Sequence, residues 1–207
     1  KSNMLNYLHL AALGDCYATT FTLNNASSIA IKSDEKFEYV KYNPRKNIDR
    51  WGLSLTSLDG KMTGIPDLDS IREYNIENNT SYDETDFWTQ TPAYDDFAEI
   101  LNPFEPWLFR THILKLGPGG FFPPHRDALG LRSFRMIVPL KNCKAPNVNF
   151  ILEDKILNFN QGKLYFVNTV KMHYIFNASM APSYWLVMNV KCTKESVEKV
   201  LMNLEHT

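Results

Sequence analysis

The chain has 207 residues, 44% of them hydrophobic and 13% aromatic, so it can bury a sizeable core and lacks the polar, charge-rich signature of disorder. Twenty-two Lys and Arg balance 23 Asp and Glu for a net charge of −1, which leaves no long-range field to draw nucleic acid or an anionic membrane surface. No run approaches the roughly 18–20 apolar residues of a membrane span, and Cys16, Cys143 and Cys192 lack the paired spacing of zinc sites or disulfide frameworks, so a reducing, cytoplasmic setting is expected.

One domain over residues 1–207 is expected, because β-rich domains commonly reach ~200–250 residues. Its first part, 1–106, mixes strands, helices and a long loop. After an ordered N-terminal segment, the β-branched and aromatic runs at 17–23 (YATTFTL), 36–42 (KFEYVKY) and 50–58 (RWGLSLTSL) predict strands. Residues 59–92 are rich in Asp, Asn, Thr, Gly and Pro, with a helical turn expected at 67–75, and an excursion of that length is a candidate substrate lid. Phe97, Ile100 and Leu101 fall at helical spacing before Asn102-Pro103, which predicts a short helix over 93–104. The adjacent Asp95 and Asp96 diverge around such a helix and are assigned to its solvated face.

From Trp107 the text changes to evenly spaced β runs: 108–116, 133–140, 147–154, 162–169, 172–178 and 183–190, each bounded by Gly, Pro or Asn. That rhythm predicts a barrel or sandwich over 107–190. A terminal amphipathic helix over 193–206 follows, with Thr193 as its N-cap and Val197, Val200, Leu201 and Leu204 on one face.

Within the barrel region, "GGFFPPHRDALGLRSFR" places His125 and Asp127 two residues apart, where both side chains can turn to one point at a strand end. A second histidine, His173, waits in "GKLYFVNTVKMHYIFNAS". Two imidazoles and one carboxylate on one face of an ion form the facial triad of non-haem Fe(II) oxygenases. The plainer alternatives are a core histidine bonded to backbone for His173, and a helix cap or an ion pair with Arg126 or Arg132 for Asp127. His112, alternating with apolar neighbours, could line a barrel or face solvent, and Arg110 on the same strand could bind a substrate carboxylate or form a salt bridge. Trp51, Trp88 and Trp107 are candidates for a substrate cleft or for the core.

The pieces "LKLGPGGFFPPHRD", "RMIVPLKN", "GKLYFVNTVKMHYIFNAS" and "YWLVMNV" resemble the aspartyl/asparaginyl β-hydroxylase-like family of 2-oxoglutarate-dependent oxygenases, which includes free-proline hydroxylases. The resemblance implies a mainly β fold with flanking helices, a double-stranded β-helix or cupin-like jelly-roll barrel. It implies Fe(II) held by His125, Asp127 and His173, with 2-oxoglutarate as co-substrate and O2 as oxidant. An acid at position 127 fits hydroxylation, because halogenating relatives leave that place to the halide. Arg135 matches a family arginine that contacts 2-oxoglutarate, a task suited to a planar two-pronged cation. The family places another arginine about ten residues beyond the distal histidine; this chain has Ser183 there and no later arginine, so either Arg135 or Arg132 holds the carboxylate, helped by Ser183 or Tyr184, or the co-substrate is different or absent.

These readings converge on a dioxygenase that hydroxylates an aliphatic carbon of a small-molecule or peptide substrate, proline or Asp/Asn in type. A second reading is a cupin-like metal-binding or regulatory protein without turnover. A third, a metal-free β-barrel interaction module, requires His125, Asp127 and His173 to lie apart.

Overall fold

Short apolar runs punctuated by Gly, Pro and Asn favour antiparallel strands joined by turns, and the chain forms thirteen strands among its described residues. The computed structural model describes residues 5–127 and 131–206. The N-terminal part contributes α1 (Tyr7–Ala12), β1 (Cys16–Thr22), α2 (Ala26–Lys36), β2 (Val40–Lys41), β3 (Arg50–Ser54), β4 (Thr56–Ser57), α3 (Ile71–Asn78) and β5 (Thr89–Gln90). Then α4 (Ala98–Leu101), flanked by 3-10 turns, leads into β6 (Leu108–Leu116), β7 (Phe121–His125) and β8 (Ser133–Lys141). The chain finishes with β9 (Val148–Leu152), β10 (Lys155–Ile156), β11 (Lys163–Val167), β12 (His173–Asn177), β13 (Ser183–Lys191) and α5 (Lys194–Leu201).

Two sheets carry the fold: β1-β11-β8-β13-β6-β3-β2 and β10-β9-β12-β7, antiparallel throughout, with β4-β5 as a separate ribbon. Leu114, Ile137 and Trp185 of the larger sheet meet Phe150, Leu152 and Ile175 of the smaller one in an inner core. The outer face of the larger sheet is also apolar, with Phe134, Val138 and Met188 covered by Leu10, Ala30, Ile100 and Val197 from the helices. Residues of β13 from Ser183 to Val190 are therefore buried on both faces, as expected of a strand between a partner sheet and a helical layer. The strand rhythm predicts a barrel or sandwich, and the observed fold is the double-stranded β-helix with flanking helices that the resemblance implies.

Three local expectations change. Residues 36–42 were expected as a strand, but Lys36 ends α2 and only Val40–Lys41 pairs with β3. The helix was hidden because its buried stripe is Ala26, Ala30 and Ser33, small residues that give little hydrophobic periodicity yet let it lie close to the sheet. The Gly- and Pro-rich run "LGPGGFFPP" (116–124) reads as a rigid, turn-rich approach to His125, but its second half belongs to strand β7. It holds two prolines because it is an edge strand, where a missing N–H costs no ladder bond on the open side.

The terminal helix has its Thr193 cap, reinforced by a reciprocal bond between Ser196 and the cap, but stops at Leu201. Leu204 lies beyond it, bridged to Thr19 of β1. No helix among the described residues is long and apolar enough to cross a membrane.

Candidate metal centre

The pairing of β7 with β12 puts His125 directly opposite His173, with ring centroids 4.2 Å apart. Past His125 the chain leaves the sheet, and the Asp127 backbone N–H donates to the Thr169 carbonyl at 2.9 Å. That bond folds the carboxylate back over both imidazoles. Asp127 Oδ1 lies 3.5 Å from His125 Nε2, and Oδ2 lies 3.9 Å from His173 Nε2. One donor atom from each of the three residues falls within 4.8 Å of the others. The three therefore do not lie apart, as the metal-free reading required.

Backbone carbonyls decide what these nitrogens present. His125 Nδ1 lies 2.7 Å from the Pro123 carbonyl and His173 Nδ1 lies 2.9 Å from that of Lys171. A carbonyl only accepts, so each Nδ1 carries the proton and each Nε2 offers a lone pair to the centre. Phe150 stacks on the His173 ring, 6.0 Å away and tilted 13°. Burial pushes His173 down to about 4, against the opposing pull of Asp127 and the Lys171 carbonyl, so the ring is neutral at pH 7.

Burial alone would raise Asp127, but Arg135, His125 and His173 outweigh it and hold the carboxyl well below the usual range. Arg135 Nη1 stands 2.7 Å from Asp127 Oδ2, though that oxygen has no aligned hydrogen bond. The Nε and Nη2 of Arg135 donate to Asn189 Oδ1 at 3.2 and 3.0 Å, and Asn189 Nδ2 donates to the Arg110 carbonyl at 2.9 Å. Two imidazole lone pairs and an ionised carboxylate with an orphaned, buried oxygen thus face one point. Such a donor set fits a divalent transition metal, Fe(II) included, because the cation supplies the charge that these acceptors otherwise lack.

A pocket of about 210 Å³ opens beside the triad. Its walls are apolar, with Leu114, Ile137, Ile175 and Val187, and its polar edge holds Arg110, His112, Arg135 and Thr169. That volume is below the roughly 300–1,000 Å³ of drug-sized sites and suits a small acid. His112 lines this pocket rather than the surface, its Nδ1 on the Arg110 carbonyl at 2.9 Å. Arg110 is committed to segment 67–84: Nε donates to the Asp67 carbonyl at 2.7 Å, Nη2 to the Asp69 carbonyl, and Nη1 to Glu84 at 2.8 Å. Glu84 is the part of the long excursion that lines the pocket.

Of the residues expected to hold metal or co-substrate, His125, Asp127, His173 and Arg135 come together, and Arg132 and Ser183 do not join them. Arg132 is exposed and lines a neighbouring cleft with Arg126 and Lys191, which shares Glu84, Asp127 and Arg135 with the pocket. Ser183 is fully buried where β13 begins, and its hydroxyl accepts from Trp185 Nε1 at 2.8 Å; it does not line the pocket. The register explains the separation, since Asn189, not Ser183, is the β13 residue opposite Arg135. None of Trp51, Trp88 and Trp107 lines the pocket. Asn189 escaped the sequence reading, although a lone amide inside "YWLVMNV" is a readable signal of a buried polar partner.

No family model and no curated protein matches the chain. Solved structures do. It is similar to a Pseudomonas putida prolyl-4-hydroxylase at 11% identity and a TM-score of 0.51, over 89% of this chain and 96% of that one. A Burkholderia pseudomallei oxidoreductase of the 2OG-Fe(II) oxygenase family aligns at 10% identity and a TM-score of 0.46, over 81% and 77%. A Bordetella pertussis cupin domain aligns at 16% identity and a TM-score of 0.31, over 39% and 79%. At these identities the likeness is one of fold: the chain has the double-stranded β-helix that the prolyl hydroxylase also has.

Proposed function

We propose that this protein is an Fe(II)- and 2-oxoglutarate-dependent dioxygenase that hydroxylates an aliphatic carbon of an amino acid, free or within a peptide, and that it is of the aspartyl/asparaginyl β-hydroxylase-like type. The observation that carries the reading is the convergence of His125, Asp127 and His173 within 4.8 Å, with both imidazoles fixed as Nε2 donors. With 2-oxoglutarate and O2, a bound Fe(II) supplies oxidative decarboxylation to succinate coupled to hydroxylation of a C–H bond. The chain's own residues do the rest. The Pro123 and Lys171 carbonyls aim the imidazoles, and Arg135 keeps Asp127 ionised and oriented. Remaining N–H groups on Arg135 Nη1 and Nη2 would take the metal-proximal carboxylate of 2-oxoglutarate. Apolar walls from Leu114, Ile137 and Val187 keep bulk water from the reacting atoms. The adjoining cleft with Arg126, Arg132 and Lys191 is the approach proposed for the primary substrate. Three cysteines that form no disulfide support a cytoplasmic setting.

Anaerobic Fe(II) titration tests the reading. Adding 2-oxoglutarate to the iron-loaded protein is expected to raise the weak visible charge-transfer band of a chelated 2-oxo acid, and air is expected to yield succinate. A screen with free proline and with Asp- and Asn-containing peptides then assigns the substrate. Iron binding with neither band nor succinate would leave the cupin-like metal-binding reading, which the small hydroxyl of Ser183 at the start of β13 favours.

A further inference from the structure

Arg50, the first residue of β3, is 3% exposed, and its guanidinium has no hydrogen bond or ion pair among the described residues. Its Nε is buried without an acceptor. The contacts that it does make are with aromatic faces: Cζ lies 4.3 Å from the Phe122 ring centroid and 5.7 Å from that of Tyr42. The neighbouring carboxylate, Asp49, turns away to accept from Trp51 Nε1 at 2.8 Å. Burial pulls the Arg50 pKa down, and the opposing influence comes from Tyr42 rather than from an acid. An arginine does not shed its proton to relieve such burial, and ring contacts return only part of the lost hydration. A buried, uncompensated cation is therefore a position prepared for an anion.

The sheet register says where that anion would sit. Arg50 pairs with Leu116 of β6, and Leu116 pairs with Ser183 of β13. Directly opposed residues point to the same face, and Leu116 belongs to the inner core between the two sheets. Arg50 thus enters the barrel interior from the end of the sheet where β13 begins, away from Arg135. Both rings beneath it, Tyr42 and Phe122, line the metal pocket, and Phe122 stands 5.7 Å from His125. The two arginines that line the pocket already have anionic or carbonyl partners, Arg110 in Glu84 and the Asp67 and Asp69 carbonyls, Arg135 in Asp127, whereas Arg50, behind the rings, has none. Arg50 is the uncommitted charge.

We propose that Arg50 is the counter-cation for the distal carboxylate of a 2-oxo dicarboxylic acid whose other end binds at the triad, and that it selects this co-substrate over 2-oxo monocarboxylic acids. The inference rests on the dioxygenase reading and supplies the charge that neither Ser183 nor Arg132 brings to the pocket. Arg50 contacts Phe122 and Tyr42, which line the pocket, but does not line it itself, so those rings shift when the carboxylate enters.

The test uses the full chain loaded anaerobically with Mn(II), and calorimetric titration with 2-oxoglutarate and with 2-oxopentanoate, which has the same chain length but no distal carboxylate. The unsubstituted protein is expected to bind 2-oxoglutarate about 30-fold or more tightly than 2-oxopentanoate, the size of effect that a desolvated charge pair gives. In Arg50→Gln the ratio is expected to fall to near one with Mn(II) affinity unchanged, and Arg50→Lys to recover part of it. Ligand-free Arg50→Met is expected to melt no lower than the parent, because it removes an uncompensated charge. An unchanged ratio in Arg50→Gln and Arg50→Lys, or a lower melting temperature in Arg50→Met with selectivity intact, overturns the role of Arg50 alone. If the unsubstituted, Mn(II)-loaded protein binds neither acid, the dioxygenase reading fails and takes this inference with it.

Discussion

His112 and His173 are both buried and both tied through Nδ1 to a backbone carbonyl, yet they do different work: His173 faces Asp127, and His112 packs beside Tyr42. Burial pushes His112 down to about 3 and His173 to about 4, both below the ~6.5 of an unfolded histidine. The unfolded chain then binds more protons than the folded one between pH ~6.5 and ~4. Stability from these neutral rings is present above that window and is lost as pH falls through it, at up to ~1.4 kcal/mol per pH unit for each ring. Asp127, held low, titrates below the window and does not mask it. Urea unfolding of metal-free protein is therefore expected to show stability falling from pH 6.5 to 4. His112→Asn, whose amide can replace the bond to the Arg110 carbonyl, should flatten that slope by up to ~3 kcal/mol across the range. Equal slopes in parent and variant would show that His112 is protonated in the folded state.

At the level of elements, much of the site was legible. The β runs from residue 108 onward were bounded by Gly, Pro and Asn, and those strands formed within a few residues of their bounds, so that His173 fell on an expected strand, whereas β7, which carries His125, was not among the expected runs. What the sequence did not carry was register. A one-residue slip of β7 would turn His125 to the other face, and the Phe-Phe-Pro-Pro run has no apolar alternation from which to read the pairing with β12. Burial was equally silent: Arg50 looks like any strand-start arginine until β3 is seen added to β6. Arg110, which could bind a substrate carboxylate or form a salt bridge, forms the salt bridge, to Glu84, and adds two carbonyl bonds that make it a clamp, at a β6–β13 irregularity where its φ is 44°. Removing its three side-chain bonds in Arg110→Met leaves the Asp67 and Asp69 carbonyls and Glu84 without that partner. The expected cost is about 2–3 kcal/mol, by analogy with single bonds to charged groups. Hydrogen exchange and limited proteolysis should show segment 67–86 opening while β8 and β13 stay protected. Unchanged protection of that segment would mean that its contacts with the barrel hold it without Arg110.

At the scale of the whole molecule, the composition shift near Trp107 invites a division between an N-terminal part and a barrel, and the hydrogen bonding argues against two independent units. β1 adds to β11 at one edge of the larger sheet, while β3 and then β2 extend it beyond β6 at the other. The C-terminal tail closes on β1, with Thr20 N–H donating to the Asn203 carbonyl at 2.7 Å and Glu205 N–H to that of Ala18 at 3.1 Å. The Tyr7 hydroxyl donates to Asn168, whose backbone N–H donates to the Asp15 carbonyl, so the first helix is tied to the turn that delivers His173. Opening the N-terminal third by itself would strip β11 and β6 of their outer partners and expose the outer core beneath α1 and α2. That cost is expected to tie the parts into one cooperative unit, because a sub-global opening has to break sheet pairing rather than part a surface contact. Native-state hydrogen exchange in low urea is therefore expected to give the β1 and β3 amides the same opening free energy and urea dependence as those of β8 and β13. A separate, cheaper opening of β1 through β3 would mark the N-terminal third as a unit of its own, and Arg50 would then reach the pocket by folding onto it rather than by being built into it.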